Sequence, residues 1–123
     1  MLIDPPFEDA REFERLASAL PRAAQKWASG TYALWHPVKD ERAAGQFHAA
    51  LARGIARPID VMTLMVDART PQGDEKNLRG CAMVVVNPPH ALHAEALELL
   101  PFMARALGRD GQGAFKCSRL NND

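Results

Sequence analysis

Apolar and polar positions along this 123-residue chain change their period several times, and each change marks an element. The opening Met1-Leu2-Ile3 is short and wholly apolar, as the end of a buried strand is, and it runs straight into Asp4-Pro5-Pro6-Phe7. Apolar residues then recur at Phe7, Ala10, Phe13, Leu16, Ala17 and Leu20, the three-and-four spacing of one helix face. Glu8 and Asp9 suit the positive end of that helix. Pro21 is expected to break or kink it, leaving a shorter helical piece to about Trp27 that stops at Ser29-Gly30. Thr31 to Trp35 is β-branched and aromatic enough for a second strand, closed by Pro37. Asp40 then caps a second helix whose inner face is Ala43, Ala44, Phe47, Ala50 and Leu51, with Gly54 near its end.

Ile59 to Val66 reads as a third strand, and Ala82 to Val86 as a fourth that is apolar on both faces, as a strand covered from two sides must be. Thr70 to Arg79 is a polar loop between them. Leu92, Ala96, Leu99, Leu100, Met103 and Leu107 mark a last helix, with Pro101 as a place for a bend, and Ala114 to Leu120 a final strand before a frayed Asn121-Asn122-Asp123 tail. The order is strand, helix, strand, helix, strand, strand, helix, strand. It predicts an α/β fold with a mostly parallel sheet, an antiparallel strand and helices on both faces. Ligands of such sheets bind beyond the carboxyl ends of the parallel strands, and Asp4 sits at one of those ends.

Composition narrows the classes without naming one. At 47% hydrophobic residues the chain can bury a core, and 15 Lys plus Arg balance 15 Asp plus Glu, so no net field recruits nucleic acid or an anionic membrane. Cys81 and Cys117 stand apart, with no CxxC and no Cys/His cluster, which fits small buried thiols in a reducing, cytoplasmic setting and no metal site. No run reaches the roughly 18 apolar residues of a membrane span. No repeats or linkers divide the 1–123 span.

The chemistry concentrates at Asp4-Pro5-Pro6-Phe7. Successive prolines fix φ and remove donors, so the segment presents a carboxylate and a neighbouring carbonyl as two stiff acceptors with an aromatic ring behind them. That arrangement suits the NH2 of a nucleobase, which is a poor nucleophile because its lone pair is delocalised. Accepting both N–H hydrogens localises the lone pair, the Asp4 carboxylate stabilises positive charge growing on nitrogen, and Phe7 stacks on the extruded base. A strand-to-helix turn with Asp as cap and Phe in the core explains the same tetrapeptide without chemistry. Asn87-Pro88-Pro89-His90 is a rival of the same kind. If the third strand parallels the first two, the helix-free connection from Asp67 to Gly80 makes the fourth antiparallel, sending Asn87 to the opposite sheet edge as a structural turn. Trp35 and His36 end the second strand, where they border the Asp4 crevice as substrate contacts or serve as edge packing. His90 and His93 lack a third ligand in sequence, and Lys76 and Arg79 are either phosphate contacts or merely solvated.

Taken together, "LIDPPFE", "GTYALWHPVK", "AMVVVNPPH" and the helix with "LLPFM", in this order and spacing, resemble the C-terminal half of the large-subunit ribosomal RNA adenine-N6 methyltransferase J family. The resemblance spans essentially the whole chain. It implies a class I, Rossmann-like methyltransferase fold, S-adenosylmethionine as methyl donor, no metal, and an adenine of 23S rRNA as acceptor. It assigns catalysis to Asp4, Pro5, Pro6 and Phe7, the last standing where the family commonly has Tyr. The half that precedes the DPP motif in the family, with its Gly-containing donor loop, has no counterpart here, so the cofactor-binding residues are expected outside this sequence and the chain alone is expected to be inactive. A noncatalytic remnant or partner-binding subunit, self-associating through the bare edge of its first strand, and a DNA adenine methyltransferase remain as alternatives.

Overall fold

The computed structural model describes residues 1–5, 11–66 and 79–121. Pro6, Phe7, Ala10, Glu8, Asp9, Lys76 and the rest of the loop before Arg79 lie outside the described residues. Strands β1 (Leu2–Ile3), β2 (Tyr32–Val38), β3 (Ile59–Met65), β4 (Gly80–Val86) and β5 (Ala114–Leu120) alternate with helices α1 (Glu12–Lys26), α2 (Glu41–Gly54) and α3 (Leu92–Leu107). They form one sheet in the order β1-β2-β4-β3-β5.

Only β1 and β2 pair in parallel; β4 runs antiparallel to both β2 and β3, and β5 antiparallel to β3. The sheet is therefore mixed, which corrects the expectation of a mostly parallel one. β1, β2 and β3 do share one direction, because each of the last two opposes β4. The reason for the mixture is connectivity. β4 pairs against β3, the strand it follows, whereas α3 carries the chain across from β4 to β5 as a crossover, so β5 runs with β4 and therefore against β3.

One face of the sheet carries α1 and α2. Tyr32 and Leu34 of β2, Ile59 and Val61 of β3, and Val84 and Val86 of β4 pack there with Leu20 and Ala24 of α1 and Phe47 and Leu51 of α2. The opposite face is covered over β3 and β5 by α3, whose Ala96, Leu100 and Ala104 are buried. β4, between β2 and β3, has Val84, Val85 and Val86 all buried, as its unbroken apolar run requires. Asp40 caps α2 as its position promised, its side chain accepting from the Arg42 amide at 3.0 Å.

Two prolines behave differently from expectation. α1 runs continuously through Pro21, whose ring packs against the end of α2 so closely that a Cβ on Gly54 would stand 3.0 Å from it. Burial of the Leu20 and Ala24 face on both sides of the proline offsets a lost bond that costs about 3 kcal/mol in an unsupported helix. Pro37 does not close β2 but lies within it. The Ala33 amide donates to the Met1 carbonyl at 2.8 Å, so by alternation position 37 also directs its nitrogen toward the β1 side. β1 pairs only as far as Leu34, and a residue without N–H loses nothing at that open edge.

Asparagines hold the other end of the sheet. Asn87 closes β4 with φ 54° and donates through Nδ2 to the carbonyls of Ala28 and Gly30 at 2.9 and 2.8 Å, while its own carbonyl accepts from the Thr31 hydroxyl at 2.9 Å. Asn121, with φ 55°, repeats the device after β5 by donating to Ala52 and Ile55 at 2.9 and 2.7 Å. The tail is thus anchored at Asn121, and Asn122 and Asp123 lie outside the described residues. Gly30 is obligatory in the turn that Asn87 grips, since any Cβ would collide with the Trp27 indole. Asn87→Ala should lower the unfolding free energy by about 1–3 kcal/mol, since two carbonyls lose their donor. Urea denaturation checks it, and Asn87→Gly, which keeps the backbone free to hold positive φ, isolates the cost of the lost hydrogen bonds.

Candidate functional site

The pairing register builds the site from β1 and β2. Leu2 opposes Ala33 and Ile3 opposes Leu34, so β1 ends alongside the middle of β2, and Asp4 and Pro5 follow its last paired residue. Asp4 is exposed and Pro5 half-buried at the carboxyl edge of this parallel pair. Val86 of β4 pairs instead with Tyr32 at the start of β2, so Asn87 emerges at the far edge. The two proline motifs therefore follow strands that run in opposite directions, as the direction argument requires, and the Asn87 side chain is consumed by turn carbonyls.

Trp35 and His36 go to opposite faces of β2. Trp35 is half-buried on the face away from α1 and α2, next along β2 after Leu34, the last residue paired with β1. His36 has no accessible surface and lies under the helices, so the expectation that it touches substrate is corrected: a ring enclosed on that face cannot reach a base at the Asp4 edge. Strand alternation alone separates these two neighbours.

His36 is enclosed by rings. Phe13 of α1 meets it edge-on at 5.2 Å and 86°, Phe47 of α2 likewise at 5.5 Å and 88°, and the two phenyl rings stack on each other at 4.7 Å. Its Nδ1 lies 3.0 Å from the Pro37 carbonyl and its Nε2 2.8 Å from Nε2 of His48. A carbonyl only accepts, so His36 carries its hydrogen on Nδ1, and Nε2 must accept from Nε2–H of His48. Burial lowers the pKa of His36, and it lowers His48 to about 4, with the charges of His36 and Lys116 acting in the same sense. This pair is a feature that sequence reasoning missed. His48 follows Phe47 on the half-buried flank of α2, and only the tertiary meeting of α2 with β2 reveals its partner.

Behind α2 lies a groove of about 350 Å³ floored by Val61, Met65 and Leu120 and edged by His48, Thr63 and Lys116. Asp4 does not line it, and β2 and β4 stand between. On the α3 face, the buried Asp60 carboxylate receives both Nε and Nη2 of Arg119, at 2.7 and 3.0 Å. Beside it Cys117 Sγ sits 3.4 Å from Nδ1 of His93. Burial and the Asp60 charge raise the Cys117 pKa against the opposing pull of Arg119, so the thiol stays protonated and is no activated nucleophile. Both cysteines are free and only half-buried, rather than enclosed. His90 is exposed, and no group of three potential metal ligands occurs among the described residues. No helix among the described residues is long and apolar enough to cross a membrane.

Because the folded-state pKa of His48 lies below its ordinary 6.5, the unfolded chain binds more protons between those values. Stability contributed by the neutral pair is whole above about pH 6.5 and is lost as pH falls toward 4. Thermal unfolding of the wild type and His48→Gln across this window should show a steeper acid loss in the wild type.

Comparison with known proteins places this architecture. The model of the family described as "Ribosomal RNA large subunit methyltransferase D, RlmJ" matches residues 1–120. "Ribosomal RNA large subunit methyltransferase J" of Haemophilus influenzae is 30% identical over 115 residues, covering 94% of this chain and 40% of that protein. The protein of the same description from Escherichia coli K12 is 28% identical over 114 residues, covering 92% and 39%. A crystal structure of a Legionella pneumophila protein, LPL1258, superposes with a TM-score of 0.82 at 21% identity, over 98% of this chain and 43% of its own, and shares the fold. The chain thus spans about two fifths of the length of these curated relatives. On the match over residues 1–120, together with the order of the DPP and NPP motifs on the sheet, the chain belongs to the RlmJ family of ribosomal RNA large subunit methyltransferases.

Proposed function

We propose that this chain is the acceptor-holding portion of an S-adenosylmethionine-dependent methyltransferase with a class I fold, acting on an adenine N6 of large-subunit rRNA. The observation that carries the reading is the exposed Asp4 at the carboxyl edge of the β1–β2 parallel pair, in a chain of this family. The names of the Haemophilus and Escherichia relatives support ribosomal RNA as the substrate.

Asp4 and a backbone carbonyl of the Pro-Pro segment accept the two N–H hydrogens of the adenine amine. The nitrogen is thereby drawn toward tetrahedral geometry, and its lone pair is freed for attack. As the N–C bond would form and the donor's methyl–sulfur bond break to release a neutral thioether, the Asp4 carboxylate would face the positive charge on nitrogen until an N–H proton is lost. Pro5 and Pro6 keep the acceptors fixed, which lowers the cost of reorganisation, and Phe7 supplies a stacking surface for the base. Trp35, which follows the last β2 residue paired with β1, borders the same crevice as a substrate contact.

S-adenosylmethionine supplies the electrophilic methyl group in the whole enzyme. The described residues at this edge offer acceptors for an amine but no glycine-containing loop to hold such a donor, so no donor-binding residue is assigned in this chain. β1 is the outer strand of the sheet, only two residues long, with Leu2 70% exposed and its outer edge unpaired among the described residues. That edge favours a second polypeptide or further chain as the supplier of the donor pocket, or self-association where neither is present.

The test is a chimera in which this chain replaces the matched segment of the Haemophilus influenzae relative. Asp4→Ala should leave its circular dichroism unchanged and cut methyl transfer to rRNA by about 10²-fold or more, the scale of losing a group that meets transition-state charge. Activity retained within a few-fold would move catalysis away from Asp4. Isothermal titration of the 123-residue chain itself should show no micromolar affinity for S-adenosylmethionine. Such affinity, with methylation of naked rRNA, would overturn the division between acceptor and donor portions.

A further inference from the structure

We infer that two copies of this chain join through the free edge of β5, pairing antiparallel about a two-fold axis at Cys117. β5 is an outer strand of the sheet and runs seven residues in unbroken register with β3, without a proline or a bulge. A strand of that length leaves a row of peptide groups unpaired on its outer side, and a second strand is what such a row accepts. The other outer strand, β1, offers only two residues.

The ladder fixes which peptide groups are free. The Val66 amide donates to the Arg79 carbonyl and the Asn87 amide to the Pro58 carbonyl, so the even-numbered residues along β3 turn to β4. Ile59, Val61, Thr63 and Met65 therefore turn to β5, and their partners Leu120, Ser118, Lys116 and Ala114 turn back to them. Phe115, Cys117 and Arg119 direct their N–H and C=O groups outward, where no strand pairs with them among the described residues.

The occupant is a second copy because the strand is complementary to itself. Outward residues must pair with outward residues, so the two-fold falls on a residue of the strand, and only Cys117, its midpoint, leaves none of the seven without a partner. That register sets Phe115 opposite Arg119 of the second copy, Lys116 opposite its Ser118, and Ala114 opposite its Leu120. No like charges meet, whereas a shift that centres on Lys116 would set two ammonium groups against each other. Phe115, 41% exposed, gains cover from an arginine whose charge Asp60 already holds at 2.7 Å. Both β1 strands stay at the outer ends of the joined sheet, so the Asp4 edges remain open.

This inference does not depend on the reading of Asp4, and its test uses the 123-residue chain without substrate. Sedimentation equilibrium should show a reversible monomer–dimer equilibrium between micromolar and millimolar concentration. A monomer throughout would overturn the pairing.

Hydrogen exchange locates the contact. The amides of Lys116, Ser118 and Leu120 should be protected at every concentration, while those of Phe115, Cys117 and Arg119 should slow by about tenfold once about nine tenths of the chain is dimeric. Protection of all six in the dilute monomer would show an edge already covered and end the proposal. A dimer that leaves the outward three unchanged would end it too, by moving the contact to another surface such as β1. Phe115→Pro and Cys117→Pro each remove an outward N–H and spare the bonds to β3. Either variant, folded by circular dichroism, should stay monomeric; a folded variant that still dimerises contradicts the assignment. Should both fail to fold, the alternation of exchange rates along wild-type β5 decides.

Discussion

The antiparallel pairing of β4 between β2 and β3 decides what each end of the sheet does. Every residue of β4 from Gly80 to Val86 has a partner on both sides, so its direction cannot slip without exposing a strand apolar on both faces. Once β4 opposes β2, two nearly identical motifs are sent to opposite edges. The Asp4-Pro5 motif ends a strand that runs with β2, and the Asn87-Pro88 motif ends one that runs against it. Local sequence gives both motifs the same stiff, donor-poor prolines; only the direction of the strands before them tells them apart.

The two edges are built with different physics. At the Asn87 edge, the asparagines at 87 and 121 adopt a left-handed backbone, and each gives one NH2 group to two carbonyls at the ends of neighbouring elements. Satisfied carbonyls and a glycine packed under Trp27 make that edge closed and polar-complete. At the Asp4 edge the carboxylate is exposed and a proline follows it, which has no N–H to donate. The aromatic and imidazole cluster of Phe13, His36, Phe47 and His48 joins α1, α2 and β2 on the helix-covered face. On the α3 face, Asp60 and Arg119 tie β3 to β5 by a two-bond ion pair well away from this edge.

Much of this was legible in the sequence where one element's own pattern decides. The helix from Leu92 to Leu107 and the strand from Ala114 to Leu120 follow from apolar spacing, and Asp40 announced its helix because capping is a local bond. The reversal of β4 against β3 was legible because the sequence from Asp67 to Gly80 carries no helical pattern for a crossover. The misreadings all concern residues whose effect depends on a distant neighbour. Pro21 looks like a breaker until α2 packs against its ring, and Pro37 looks like a stop until β1 is seen to end short of it. Asn121 looks like part of a loose tail until the carbonyls at the end of α2 are beside it. His36 looked like a crevice residue because it adjoins Trp35 in sequence, but β-strand alternation turns it into the core, where His48 meets it. The family resemblance rested on motifs and their order, which survive such contingencies.

The central claim is that direction, and not motif chemistry, makes the Asp4 edge catalytic and the Asn87 edge structural. The most direct measurement is the single-turnover rate of methyl transfer in a chimera carrying Asn87→Ala, taken well below its melting temperature with saturating rRNA and S-adenosylmethionine. The account predicts a rate equal to that of the parent chimera, since the Asn87 side chain serves only turn carbonyls at the far edge. A rate reduced a hundredfold in protein that is still folded would contradict it, because the NPP motif would then be part of the reaction.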